Sequence, residues 1–205
     1  MATKGEETRE NILNIAQSIM LQKGFAGTSL DEIIAASNIT KGGFFYHFNS
    51  KDDLAVHLML KYQRDDVAFF NGLFDRAEEL SEDPLQQMLI FLKLLSEAMA
   101  EVQKNHPGCL VATFTSANQT VNQQVRDVTA ECLVTWRDSF RDKLERINNK
   151  YPKDVDLDTL ADMLSSTIEG GIIVALALSD TRILVDQILQ YRNYIRLLYG
   201  DVSQC

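Results

Sequence analysis

The sequence predicts an all-α protein, with a small N-terminal helical module followed by a larger helical region. Only three prolines occur, Pro84, Pro107 and Pro152, and they leave long uninterrupted segments between them. Leu, Ala, Ile, Gln, Glu and Asp dominate those segments, and apolar residues recur in them at steps of three and four, the period of an amphipathic helix. At 205 residues and 45% hydrophobic composition, the chain is long enough to bury a real core.

From Thr8, apolar residues fall at Ile12, Ile15, Ala16, Ile19 and Met20, and Gly24 predicts the end of this first helix. The stretch TSLDEII opens a second. Ser29 and Glu32 have the spacing of a capping box, in which each side chain satisfies an orphan backbone N–H, and Leu30, Ile33 and Ile34 face inward. SNIT (37–40) is turn-prone, and Thr40 can cap a third helix. A fourth starts near Ser50 with Asp52 and Asp53 in its first turn, where carboxylates suit the helix dipole, and with a buried stripe of Leu54, Leu58 and Tyr62. Two short helices joined by a tight turn form a helix-turn-helix unit. A plain three-helix module fits the same periodicity.

After residue 66 long helices are predicted over 67–81, 84–104, 107–119, 121–148, 157–178 and 181–199. The last two carry regular seams. One includes Leu164, Gly171, Val174 and Leu178, and the other Leu184, Ile188, Tyr191 and Ile195. Such seams suit packing at small crossing angles. Two readings stay open: intrachain core, or a four-helix dimer interface in which Gly170 and Gly171 permit close approach.

The formal net charge is −9, and it is unevenly placed: residues 1–62 hold six Lys/Arg against seven Asp/Glu, out of totals of 20 and 29. A DNA-contacting surface needs local positive charge, which here could come only from a small face near Lys41 and Lys51. Three cysteines, Cys109, Cys132 and Cys205, follow no repeating spacing and fit a reducing compartment. The first twenty residues are mostly polar, and the longest apolar run, Ile172 to Leu178, is too short to span a bilayer, so a cytoplasmic protein without membrane association is expected.

The stretch NITKGGFFYHFNSK (38–51) sets two adjacent glycines beside four aromatics. With its surroundings, ILNIAQSIMLQKGFAGTSLDEIIAASNITKGGFFYHFNSKDDL, it resembles the TetR family of transcriptional regulators, across residues 8 to about 62. The matching pattern is an Ile/Ala helix, a G-[FY]-x-x-[TS]-[ST] turn, a short helix, then K-G-x-[LF]-Y-x-[HY]-F-x-[ST]-K-x-x-L. GCLV at 108–111 and IEGGIIVALAL at 168–178 are similar to one branch of the family.

The resemblance implies a homodimer with a helix-turn-helix DNA-binding domain, residues 6–66, and a ligand-binding and dimerisation domain, residues 67–205. It further implies a repressor of an inverted-repeat (palindromic) operator on double-stranded DNA, released by a small-molecule inducer. On matching positions the DNA contacts are Thr28, Ser29, Thr40, Lys41, Gly42, Gly43, Phe45, Tyr46, His47 and Lys51. Gly42 removes a side chain that would block approach to DNA, and Lys41 reaches phosphate or base acceptors. Phe44 and Phe48, four apart, point inward. The family usually has tyrosine where this chain has Phe45, so a hydroxyl is missing there.

The ligand side is less marked. Candidate pocket residues are Phe91, Met99, Cys109, Phe114, Trp136 and Phe140, with ordinary core as the competing role for each. Cys109 lies near a predicted helix start with His106 beside it, a setting that lowers a thiol's pKa. That suggests an alternative, a thiol-based redox or electrophile sensor. A second alternative is a helical interaction module without specific DNA binding. No phosphate-cradling glycine loop, HExxH or CxxC is present, so no catalytic residue, cofactor or metal is expected.

Overall fold

The computed structural model describes residues 3–105 and 108–200. Among them the regular structure is helical throughout: α1 (Lys4–Gly27), α2 (Leu30–Ala36), α3 (Lys41–His47), α4 (Lys51–Leu80), α5 (Pro84–Asn105), α6 (Leu110–Ser116), α7 (Gln123–Lys150), α8 (Leu157–Leu178) and α9 (Arg182–Tyr199). Two compact units form. Unit 1 comprises Met1–Arg64 and Gly108–Cys132; unit 2 comprises Asp65–Pro107 and Leu133–Cys205. The linear division expected near residue 66 therefore misses a segment, because α6 packs on α1 inside unit 1. Nor does the chain break at 66: α4 runs unbroken for 30 residues.

In unit 1, α1 starts earlier than its apolar pattern, because Thr3 and Glu6 form a complete capping box. Gly24 ends the regular turns with φ +73°, a left-handed conformation that favours glycine. At α2 the expected capping box is only half made. Ser29 Oγ accepts from the Glu32 N–H at 3.1 Å, while the Glu32 carboxylate is drawn instead to the Lys23 ammonium. Asn38 then adopts φ +53°. The N–H of Asn38 bonds to the Ala35 carbonyl and that of Ile39 to the Ile34 carbonyl, the Schellman ending of a helix with asparagine in the left-handed position. Thr40 caps α3 at the Gly43 N–H, 3.0 Å, and Ser50 caps α4 at the Asp53 N–H, 3.0 Å.

Unit 2 is organised by α9, which packs on both α5 and α8. The buried Tyr191 hydroxyl donates to the Leu160 carbonyl at 2.9 Å, tying α9 to α8, and Arg192 Nε donates to the Leu89 carbonyl at 2.8 Å, tying α9 to α5. Asp83 gathers the N-terminus of α5 and the end of α7: it accepts from the Gln86 N–H, Lys150 Nζ and the Tyr151 hydroxyl. Those donors hold its carboxyl down at about 2, against the effect of burial. By length and mean hydropathy α8 could cross a membrane, yet 44% of that window is buried against its own neighbours, as in a core helix.

The seam residues need correction. Leu164, Leu184, Ile188, Tyr191 and Ile195 are at most 2% exposed within the single chain, and Gly171 is buried too. They are the α8–α9 core of one chain and are not free to meet a second. Only Val174 and Leu178 of the expected interface are exposed, alongside Ile173, Leu176, Tyr194 and Leu197. Gly171 has a role within the chain: a Cβ there would lie 2.7 Å from Leu184 Cδ1 and 3.3 Å from Leu184 Cα, whereas a Cβ on Gly170 meets nothing within 4 Å.

Gly171→Ala should thus destabilise the protein by about 1–3 kcal/mol through overpacking against the α9 backbone. Gly170→Ala should be neutral or stabilising by up to ~1 kcal/mol, the helix-propensity difference. Urea denaturation of the two variants checks the contrast.

Candidate DNA interface and ligand site

The sides of α3 are set by what its aromatics bury. Phe44 and Phe48 are at most 1% exposed, their ring centroids 5.7 Å apart. The Phe48 ring takes the Arg9 guanidinium of α1 at 5.1 Å and the His57 ring of α4 at 5.6 Å, so a residue at the end of α3 is gripped by both long helices. Burying the two phenylalanines contributes about 1.5–3 kcal/mol each. With that face locked, the other is presented outward. Lys41 and Gly42 are exposed, Phe45 is 44% exposed, Tyr46 is 83% exposed and His47 is half-buried beside it.

The two glycines separate. A Cβ on Gly42 would meet only Thr40 Oγ1, at 4.0 Å, so nothing inside the fold requires glycine there. A Cβ on Gly43 would press on the same capping oxygen at 3.3 Å and on Ile39 Cβ at 3.8 Å, so this glycine protects the cap of α3. Ser29 and Thr40 sit exposed at the starts of α2 and α3.

In unit 2 three of the expected ligand residues come together. Phe70 of α4 packs edge-on to Trp136 (6.1 Å) and Phe140 (5.2 Å) of α7, and Phe140 lies 6.2 Å from Phe91, which stacks on Phe74 at 3.7 Å. Met99 is half-buried on α5. Cys109 and Phe114 belong instead to unit 1, where Phe114 packs edge-on to Phe25 at 5.6 Å and the Tyr62 hydroxyl donates to Cys109 Sγ at 3.4 Å. The six residues expected to line one pocket are therefore split between the units. Sequence reasoning missed Asp66 and Glu169. Oxygens of both carboxyls are fully buried, and the Asp66 carboxyl is pushed up to about 8, first by burial and then by the carboxylates of Glu169 and Asp65. A signal existed in the lone acid of the apolar run IEGGII.

The family model for the bacterial regulatory proteins of the tetR family matches residues 12–58, and that for the C-terminal domain of LmrA/YxaF-like transcriptional regulators matches residues 84–188. The chain belongs to the TetR family. Among relatives of this TetR-family protein, the uncharacterized HTH-type transcriptional regulator YxaF of Bacillus subtilis is 24% identical over 88% of this chain and 90% of its own. The HTH-type transcriptional regulator LmrA of the same organism is 26% identical over 83% and 87%. A TetR-family regulator from Agrobacterium tumefaciens shares the fold with TM-score 0.80 at 20% identity, over 96% of this chain and all of that one. Another, from Chloroflexus aurantiacus, gives 0.78 at 26% identity over 94% and 96%. The protein is a DNA-binding transcriptional regulator of a ligand-responsive class whose members are usually repressors.

Within this TetR-family helix-turn-helix two expected DNA contacts are corrected. Thr28 is 2% exposed, and its hydroxyl donates to the Gly24 carbonyl at 2.8 Å, closing the broken end of α1. The Lys51 ammonium donates to the Phe25 carbonyl and lies 4.1 Å from the centroid of the Phe25 ring. Burial pulls its pKa down. Its charge is committed to the domain and does not reach out to phosphate. Cys109 is the N-cap of α6 but only 3% exposed, which leaves a reagent little access; His106 lies outside the described residues.

For Asp66 the folded pKa, about 8, stands above the unfolded value of 3.8, so the folded state holds the extra proton between them. The contribution of Asp66 to stability should be full below about pH 4, fall as pH rises towards 8, and level off beyond. Asp66→Asn should match wild type near pH 4 and exceed it by on the order of a few kcal/mol at pH 9. Urea titrations at the two pH values measure this, and equal losses at both would show that the carboxyl is not held protonated.

Proposed function

We propose that this regulator represses transcription by binding an inverted-repeat operator as a homodimer, and that a small molecule held in unit 2 releases it. The observation that carries the DNA half is the outward face of α3. Lys41, Gly42, Phe45 and Tyr46 share it, and Gly42 has no packing reason to lack a side chain. In this reading Gly42 lets the backbone approach the major groove, Lys41 meets phosphate or guanine, Phe45 meets a thymine methyl, and Tyr46 and His47 hydrogen-bond to phosphate. Ser29, Thr40 and the first turns of their helices add phosphate affinity. Gly43 keeps the cap in place and reads no base.

The dimer is proposed through the outward faces of α8 and α9, where Ile173, Val174, Leu178 and Leu197 leave apolar surface exposed. Such a dimer reads two half-sites on one face of the duplex, a spacing near one helical turn or a multiple of it. Its place of action is the cytoplasm, as is typical of the family.

The test begins with selection of bound duplexes from a random pool, which should enrich a symmetric sequence. On that operator Gly42→Ala should keep its thermal stability and lose at least about tenfold in affinity by fluorescence anisotropy. Lys41→Ala should weaken binding and reduce the salt dependence by about one phosphate contact. Thr28→Val should bind within about threefold of wild type, since its hydroxyl serves α1. Enrichment of no symmetric site, or wild-type binding by both α3 variants, would sink the assignment.

A further inference from the structure

We propose that Asp53 is a positioning residue for DNA recognition: its carboxylate ties the exit of α3 to α4 and so sets the direction in which α3 meets the duplex. The assignment rests on the reading of α3 as the operator-reading helix and adds the residue that aims it.

Burial of Phe44 and Phe48 fixes the rotation of α3 about its axis, but rotation does not fix direction. Only Phe48, Asn49 and Ser50 join α3 to α4, and the chain is already extended at Phe48, with φ −142° and ψ 131°. Connecting segments are the more mobile parts of a fold unless their polar groups are held. Here those groups converge on one half-buried carboxylate. Asp53 Oδ2 accepts from the Asn49 N–H at 2.7 Å and from Asn49 Nδ2 at 3.0 Å, which fixes both the backbone and the side chain of that residue. Asp53 Oδ1 lies 3.3 Å from His57 Nδ1, which is also 2.9 Å from the Asp53 carbonyl oxygen. With two acceptors before it, Nδ1 is the nitrogen that carries hydrogen. The same His57 ring packs edge-on to Phe48 at 5.6 Å. Asp53 therefore grips the exit of α3 twice, directly at Asn49 and through His57 at Phe48.

What separates this from an ordinary helix cap is where the carboxylate goes. In a capping box the third residue of the helix returns to the N–H of the cap residue, which here is Ser50. Asp53 passes over Ser50 and takes Asn49, one residue nearer to α3. Its charge also stands in the wrong place for simple attraction. Asn49 is two residues from His47 and three from Tyr46, both proposed to meet phosphate, so a carboxylate beside it opposes DNA by charge alone. Charge and geometry thus predict opposite signs. Removing the carboxylate strengthens binding if charge decides, and weakens specific binding if position decides.

The experiment measures the full chain against its selected operator and against a scrambled duplex, by fluorescence anisotropy at one salt concentration. Asp53→Ala, which removes both carboxylate oxygens, should lose at least about tenfold on the operator and hold or gain on the scrambled duplex. Asp53→Asn removes the charge but keeps an oxygen for Asn49, and should stay within about threefold of wild type on the operator. In amide exchange the Asn49 N–H should lose protection in Asp53→Ala and keep it in Asp53→Asn. Ser50→Ala removes the cap of α4 but leaves the tie, so it should lower the thermal transition without changing the ratio of the two affinities. If Asp53→Ala shows no thermal transition, Asp53→Ser, whose side chain is too short to reach Asn49, takes its place with the same expectations. Equal operator affinity in Asp53→Ala and Asp53→Asn overturns the proposal, as does a parallel fall on both duplexes in Asp53→Ala. A loss of ratio in Ser50→Ala as large as that in Asp53→Ala does the same. Each of these results leaves the repressor reading standing, because the wild type still selects its operator; a wild type that selects none would end both.

Discussion

A seven-residue helix cannot hold itself together in water, and the DNA-binding reading of this protein depends on one that size. Isolated helices of such length lose to the cost of nucleation. What keeps α3 in place is the burial of Phe44 and Phe48, reinforced by Arg9 and His57 on either side of the Phe48 ring. Because those two side chains fix the rotation of the helix about its axis, they also decide that Lys41, Gly42 and Tyr46 face outward. The surface proposed to recognise DNA is in this sense a by-product of the core beneath it. A change to either phenylalanine would act on recognition without touching DNA.

Much of unit 1 was legible in the sequence because its signals are local. Period, caps and breakers place α1 to α4, and Gly24, Ser29, Thr40 and Ser50 each act within a few residues of themselves. The aromatic faces of α3 followed from helical spacing alone. What failed was non-local. Nothing near Lys51 in sequence says that its ammonium will find the Phe25 carbonyl, and Glu32 was drawn from its cap by a lysine in another helix. Gly43 was readable only after the position of Thr40 Oγ1 was known.

The C-terminal seams show a different limit. Steps of three and four announce that a helix has a packing partner, but they do not say whether that partner is in the same chain. Here α8 and α9 use their most regular stripes on each other, and Gly171 is small because Leu184 lies against it. The acidic pair in unit 2 was missed for a related reason. Asp66 and Glu169 sit on helices far apart in sequence, and although Glu169 stands out as the lone acid of an apolar run, Asp66 alone looks like one more surface carboxylate in an acidic protein.

The bond from Lys51 to Phe25 has a consequence for how the motif unfolds. Its two ends lie at the start of α4 and the close of α1, so it closes a loop of chain containing α2, the Asn38 turn and α3. A tie of that kind lowers the conformational entropy available to everything it encloses, as a crosslink would, while remaining reversible. The enclosed helices then have little to gain by opening singly. They should exchange amide hydrogens as one cooperative block, with α2 and α3 gaining or losing protection together.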